Sequence, residues 1–460
     1  MALVAAVLGA TGLGLLASAG GESTPGRAVV AGVPLHEVHP AGLKPGERRP
    51  GVVVAHGYAG SAKLMAQFGD TLAARGYVVV LLDFAGHGAN AKPRTGNAVL
   101  QEDLDVAVRH LRGLRDVDNA RIALVGHSMG ATAVTAYAAE HPDIVATVAI
   151  SLPSVPDGHP KNLLMLVGQA EFAGFRATAA DAAARIADSR AETIPGVEHI
   201  SILYAPRTHR ETVAWLDQRF GGPITQAAIP SPLRRVAGAG LLFVGLLVGL
   251  YPLARLLFRG RARPDRFRPV LLAPIAGAAL VAALVAAVLP TSWFPLDSGD
   301  YAVAFTFLFG GLLLLVAPRE KPRWAPGAVV LVLYAAVTIV VPLQLGFTNM
   351  WPAGARWWLL PVVWAGFAVL SYAGERLSRG STLGVLAVGA ATVVALTAAA
   401  TLGLTNGFLL LVVPLLAVLL VLQAGWSALL NRLAAPDWAI ALAGSLLVAW
   451  PIAATLPITA

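Results

Sequence analysis

The chain contains no cysteine, which excludes disulfides and thiolate metal sites without identifying a compartment. Charge is also scarce. Asp, Glu, Lys and Arg make up 13% of 460 residues, against 56% apolar residues and a mean hydropathy of +0.68. Such values exclude an ordinary soluble protein and imply a large membrane part. Acidic residues number 26 against 34 basic ones, for a net charge of +8. The arginines stand between apolar runs, as membrane-flanking charges do, so no nucleic-acid partner is expected. No ligand cluster with metal spacing and no phosphate-binding glycine loop is present, so neither a metal nor an organic cofactor is expected. The length suggests two to four domains.

What is present centres on residues 121–130. A short apolar run ends in Gly126-His127-Ser128-Met129-Gly130, and a small-residue helix follows over 131–140. Gly-x-Ser-x-Gly between strand and helix is the pattern of a nucleophile elbow. Its turn forces the serine into an unfavourable backbone conformation, and the glycines leave no Cβ to clash where strand and helix close together. Ser128 would stand exposed at a helix N-terminus that favours negative charge.

Residues 1–20 are expected to form an uncleaved transmembrane anchor; a cleavable signal peptide is the rival, with Ala-Ser-Ala at 17–19 as its cleavage site and the usual basic start missing. A Gly/Ser/Pro linker fills 20–28. An α/β domain is expected over 28–222, with strands at 29–38, 51–55, 77–83, 144–150 and 162–167 besides the elbow strand, and with the last strand and its loop within 193–202. Helices are expected at 64–75, 177–187 and 211–219. Another carries Leu100, Leu104, Val108 and Leu111 on one face. Alternating strands and helices imply a parallel sheet covered on both faces.

From about residue 236 the character changes. Eight apolar runs at 236–257, 269–290, 301–318, 327–347, 357–374, 381–403, 407–430 and 437–455 are each about long enough to span, giving a transmembrane domain of about eight helices over 236–457. One set of links holds twelve basic residues: Arg255, Arg259, Arg261, Arg263, Arg266, Arg268, Arg319, Lys321, Arg323, Arg376, Arg379 and Arg432. The alternate set holds only Arg356. Positive loops stay cytoplasmic, so the first C-terminal helix runs inward and the α/β domain is expected outside the cytoplasm, on a multi-pass protein of the cell membrane. An anchor with its N-terminus inside reaches the same side, while Arg234 and Arg235 cut against it. Few polar residues lie inside the spans: Gln344 and Gln423, with Glu375 and Asp437 at ends. Gly245 and Gly249 form a Gly-xxx-Gly step suited to helix packing.

A serine nucleophile needs a base, a group to orient it, and oxyanion donors. On a sheet of this kind the chain order is Ser, acid, His. Glu171 lies just beyond the carboxyl end of an apolar strand, the edge where parallel sheets build sites, and is the expected acid. Asp157 is the reserve, and Asp143 suits a turn or cap. His199, last in order on a loop, is the expected base. His209, near Arg207 and Arg210, reads as a solvated face; His127 as a pocket wall; His141 as structural; His110, His159 and His36 as merely exposed. The backbone N–H groups of Tyr58 and Met129 are the expected oxyanion donors. Asp83 and His87 are expected to hold a tight turn.

These residues resemble the α/β-hydrolase family. The shared marks are His56-Gly57-Tyr58, Asp83 with Gly86-His87-Gly88, Gly126 to Gly130, Gly168 with Glu171, and Gly196 with His199, covering about residues 28–220. The acid is Glu where most members have Asp, and only residues 151–161 stand where many insert a lid, so the site looks open. The resemblance implies a serine hydrolase cleaving carboxylic esters, small and soluble or lipidic, and the spans make it a membrane-tethered one. A transporter or lipid-handling protein with a hydrolase-like regulatory domain, or an acyltransferase, is the alternative.

Overall fold

A computed structural model describes residues 1–460 except Pro156, Asp157, His159, Arg261, Arg263, Pro264, Glu320 and Pro322. The chain divides into two compact units.

One unit comprises Thr11–Gly240 with Leu343–Asn349 and Pro457–Ala460. It holds an eight-stranded sheet: β1 (Thr24–Val30), β2 (Val33–His39), β3 (Arg49–Ala55), β4 (Val78–Leu82), β5 (Val117–His127), β6 (Ala146–Ile150), β7 (Leu163–Gly168) and β8 (Ser189–Ile194), in the order β1-β2-β4-β3-β5-β6-β7-β8. β2 runs antiparallel to both neighbours, and β4 to β8 with β3 are mutually parallel. The central strands are apolar where they pair, at 52–55, 78–82 and 122–125, because both faces are covered there. Val52, Val54, Val79 and Val125 pack on one side with Phe68, Leu72, Val213 and Leu216. Val53, Val80 and Leu124 pack on the other with Leu104, Val108, Leu111 and Val134. The first layer comes from α2 (Ala66–Ala74) and α6 (Pro206–Arg219), the second from α3 (Ala98–Gly113) and α4 (Met129–Glu140). α5 (Ala173–Arg185) buries Ala179 and Ala182 against Leu163 and Met165.

The sheet departs from expectation at both edges. Residues 29–38 form not one strand but the hairpin of β1 and β2. Its two-residue turn is Ala31-Gly32, both with positive φ (48° and 82°), the conformation that matches strand twist. Alanine there hides the usual turn signal. The last strand is β8, at Ser189–Ile194, because an edge strand tolerates polar residues; the apolar residues after it form a 3-10 turn at Ser201–Tyr204.

Two segments from late in the chain are hydrogen-bonded into this unit. Ser61 Oγ lies 2.9 Å from Thr348 Oγ1 and accepts from Asn349 N (3.1 Å). Ile458 N donates to Gly86 O (2.9 Å), and Arg94 N donates to Ile458 O (2.8 Å).

The other unit comprises Met1–Ala10, Leu241–Pro342 and Met350–Leu456. Eight helices run through the C-terminal half: α7 (Arg234–Leu257), α8 (Leu272–Val288), α9 (Asp300–Val316), α10 (Gly327–Gly346), α11 (Arg356–Ser378), α12 (Thr382–Thr401), α13 (Leu409–Arg432) and α14 (Asp437–Thr455). Among the described residues seven are long and apolar enough to cross a membrane, α8 counting with the 3-10 turn before it; α9 and the N-terminal α1 (Ala2–Ala17) are shorter. Gly245 packs where a Cβ would come within 3.0 Å of Ala5 O in α1, and a Cβ on Gly249 would meet the Tyr334 hydroxyl, so the Gly-xxx-Gly step is a packing face. Ionisable residues are more deeply placed than the sequence suggests. Arg356 is fully buried and donates to Leu456 O (2.9 Å), while Glu375 is buried and accepts from Asn431 Nδ2 (2.9 Å).

Candidate active site

β5 ends at His127 and α4 begins at Met129, so Ser128 alone makes the turn, at φ 51° and ψ −116°. A non-glycine residue there is strained, by about 1–3 kcal/mol. Close packing imposes it. A Cβ on Gly126 would run into the Gly130 carbonyl, and one on Gly130 would lie 2.5 Å from His56 O and 2.6 Å from Ala55 O. Ser128 N donates to Ile150 O (2.8 Å), which ties the turn to β6.

The loop after β3 lies on this turn. A Cβ on Gly57 would come within 3.2 Å of both Ser128 Cβ and His127 O. His56, buried beneath, receives Phe84 N–H on Nε2 (3.1 Å), which leaves Nδ1–H to donate to Gly57 O (2.8 Å). Burial pushes this imidazole below the ordinary histidine range. Asp83 accepts from Ala62 N (2.7 Å) and Ala89 N (2.9 Å), and so joins the loops after β3 and β4. His87 Nδ1 bonds Ala85 O at 2.8 Å. Asp83 and His87 therefore hold the loop, as the sequence suggests. Tyr58 follows in the same loop, its ring 6.0 Å from that of His87. Met129 opens α4.

Glu171 stands three residues beyond β7 and is buried. Its Oε1 is hydrogen-bonded to Nδ1 of His199. Its Oε2 accepts from Ser151 Oγ (2.7 Å) and Gly168 N (3.3 Å). His199 reaches the elbow through its neighbour: His127 Nε2 lies 2.9 Å from His199 O, and the two rings are 4.9 Å apart. Burial first, then His199, pushes the His127 imidazole down to about 3, so it is a neutral wall beside the serine. Among the described residues neither Ser128 Oγ nor His199 Nε2 makes a hydrogen bond. Such bonds commonly tighten only in the substrate complex.

Ser151 is a site residue that the sequence reading missed. It directly follows β6 in a positive-φ conformation (53°), and its position beyond a strand end was the only available signal. His209 is a correction. It is not on a solvated face but fully buried, 2.8 Å from Thr71 Oγ1 and 2.9 Å from Leu203 O, and stacked on Phe68 at 4.2 Å. The neighbouring arginines face outward while the histidine turns into the core. His110 is also more than exposed, lying 2.8 Å from Glu37, which bonds His39 as well (3.0 Å). His36 is half-buried. His141 caps α4, with Nδ1 2.8 Å from Tyr137 O. Asp143 pairs with Arg112. Asp157 and His159 lie outside the described residues. Among the described residues no three His, Asp or Glu side chains gather as metal ligands.

This sheet and its strained serine turn define an α/β-hydrolase domain, here joined to apolar helices that fit a membrane domain. Residues 46–193 match the family model described as serine aminopeptidase, S33. A putative non-heme haloperoxidase of Mycobacterium phage D29 is 34% identical over 126 residues, 27% of this chain and 43% of that protein. Cutinase 2 of Thermobifida cellulosilytica is 28% identical over 102 residues, 22% and 38% of the two chains. The matched stretch thus spans under half of either relative's length. A predicted CIB-like hydrolase from Thermoplasma acidophilum aligns with TM-score 0.36 and 20% identity, covering 42% of this chain and 97% of that one.

Proposed function

We propose that the protein is a membrane-anchored, extracytoplasmic serine hydrolase that cleaves carboxylic esters through an acyl-enzyme. His199 Nε2 takes the proton of Ser128 as Oγ attacks the ester carbonyl carbon. Glu171 holds Nδ1–H and stabilises the imidazolium. The N–H groups of Tyr58 and Met129 receive the oxyanion, each such donor being worth about 3 kcal/mol of transition-state stabilisation. The imidazolium protonates the leaving alcohol, and water, deprotonated in turn by His199, releases the acid and regenerates Ser128.

One observation carries this reading: a strained serine follows the central strand while a histidine bound to a buried carboxylate has its ring 4.9 Å from that of the residue before the serine. The cutinase likeness suits an ester. Two findings favour an outward-facing domain. Arg235 is matched by Asp70 (2.5 and 2.7 Å), and Arg356, the lone basic residue of the alternate links, is buried, so neither adds free charge there. Membranes expressing the full chain are treated with a fluorophosphonate probe and an ester panel. Wild type is expected to label and Ser128→Ala not to; labelling that survives the substitution removes Ser128 as nucleophile.

A further inference from the structure

A recess of about 160 Å³ opens in the α/β unit at a place that none of Ser128, Glu171 and His199 lines. Its walls come from the β1–β2 hairpin, the 3-10 turn Ala62–Met65, the first turn of α7, and residues 345–347 at the end of α10. Basic side chains from three of these converge on it: Arg27, Lys63 and Arg235, with His36 between.

The acids on the walls are already matched. Asp70 takes both bonds from Arg235 (2.5 and 2.7 Å), and Glu37 is shared by His39 (3.0 Å) and His110 (2.8 Å). Asp83 acts on Lys63 electrostatically, but its two oxygens accept backbone N–H groups. Among the described residues the side chains of Arg27 and Lys63 have neither a hydrogen bond nor an ion pair. Arg27 is exposed and loses little by this, whereas Lys63 is half-buried. A half-withdrawn ammonium facing two guanidiniums is costly unless something negative sits among them. The local electrostatics agree. Burial, then Arg27 and Arg235, push Lys63 below the usual lysine range, and burial with Lys63 and Arg27 pushes His36 below its own despite Asp83.

We propose that this recess binds a phosphate-type oxyanion between Lys63 and Arg27, either as the free ion or as the phosphodiester of a lipid headgroup. A tetrahedral anion fits the volume and supplies the missing charge, and it can accept from the compact ammonium and the planar guanidinium together. Two of the walls are the ends of span-length helices, which is why a lipid headgroup is one of the two sources. The site is independent of the ester-hydrolase reading, since it shares no residue with it.

The test uses the full chain purified in a phosphate-free maltoside detergent. Thermal unfolding is followed during titration with inorganic phosphate and, separately, with dihexanoyl phosphatidylglycerol, against sodium chloride at matched ionic strength. A saturable rise in Tm with either phosphate compound, beyond the chloride control, is expected. A rise with phosphate alone marks a soluble ion, and a rise with the lipid alone marks a headgroup. The double substitution Lys63→Gln, Arg27→Gln is expected to weaken the apparent affinity at least tenfold, while Lys63→Arg retains it. If the double variant does not fold, Arg27→Gln alone, an exposed change on β1, is expected to weaken it at least threefold. No rise beyond chloride, or affinity unchanged in the glutamine variants, overturns the proposal.

Discussion

Nδ1 of His199 is hydrogen-bonded to a Glu171 carboxylate whose side chain is 0% exposed. The carboxylate therefore works without competing water, and its second oxygen depends on Ser151 Oγ and Gly168 N. Glu171→Gln keeps the shape but removes the charge and can present the wrong hydrogen-bonding group to Nδ1. A fall in kcat of about 10³–10⁴-fold is expected, read on the best ester of the panel. A loss under tenfold would show that Glu171 does not orient the base.

Ser151→Ala deletes one bond to that carboxylate and nothing else. Losing a bond to a charged acceptor costs about 1.5–3 kcal/mol. We expect kcat to drop roughly tenfold or more with KM little changed. An equal loss in KM would place Ser151 in substrate binding instead.

His199→Ala is expected to abolish turnover and probe labelling. His209→Ala is expected to leave kcat near normal in the protein that remains folded, yet to cost about 2–4 kcal/mol of stability. It opens a space beside Phe68 and strips Thr71 of its partner. Urea midpoints and kcat measured on the same preparations separate the two effects. Loss of kcat in both variants would make the assignment of the base unsafe.

His209 also sets a pH dependence. Burial, opposed by the bond to Leu203, pushes its folded pKa down to about 4 from an ordinary 6.5. The unfolded chain therefore binds the proton first. Stability from this group is present above pH 6.5 and is lost as pH falls toward 4, by up to about 3 kcal/mol. Chemical denaturation at pH 7.5 and 4.5 should show the loss, and His209→Gln should flatten it. An unchanged slope in the variant would assign the acid sensitivity elsewhere.

Gly126→Ala and Gly130→Ala each place a Cβ against backbone atoms that cannot step aside. We expect both to cost more than about 3 kcal/mol, or to prevent folding. Full probe labelling of either variant at wild-type stability would contradict the packing described around Ser128.

Legibility followed the range of the interactions. The Gly126–Gly130 turn is local, so its own five residues, with the apolar run before them, announce it. The apolar strands announce themselves because burial on two faces leaves few polar positions. The meeting of Glu171 with His199, 28 residues apart, was readable only from chain order and from the place of Glu171 beyond a strand's carboxyl end. The β1–β2 turn was hidden by Ala31, and β8 by an edge strand's tolerance for charge. One partner of His209, Thr71, stands 138 residues away, and nothing near position 209 hints at it. The Ser61–Thr348 bond spans 287 residues and lay beyond any pattern in the sequence.

That long-range bonding has a temporal consequence. A ribosome finishes the segments around Ser61 and Gly86 early, but their partners Thr348 and Asn349 emerge only after α7 to α10 have been made, and Ile458 only after α14. Until then both segments lack the four bonds that these late residues supply. Maturation of the α/β unit is thus scheduled behind synthesis of the helices, and a prematurely terminated chain carries a domain left partly unfastened.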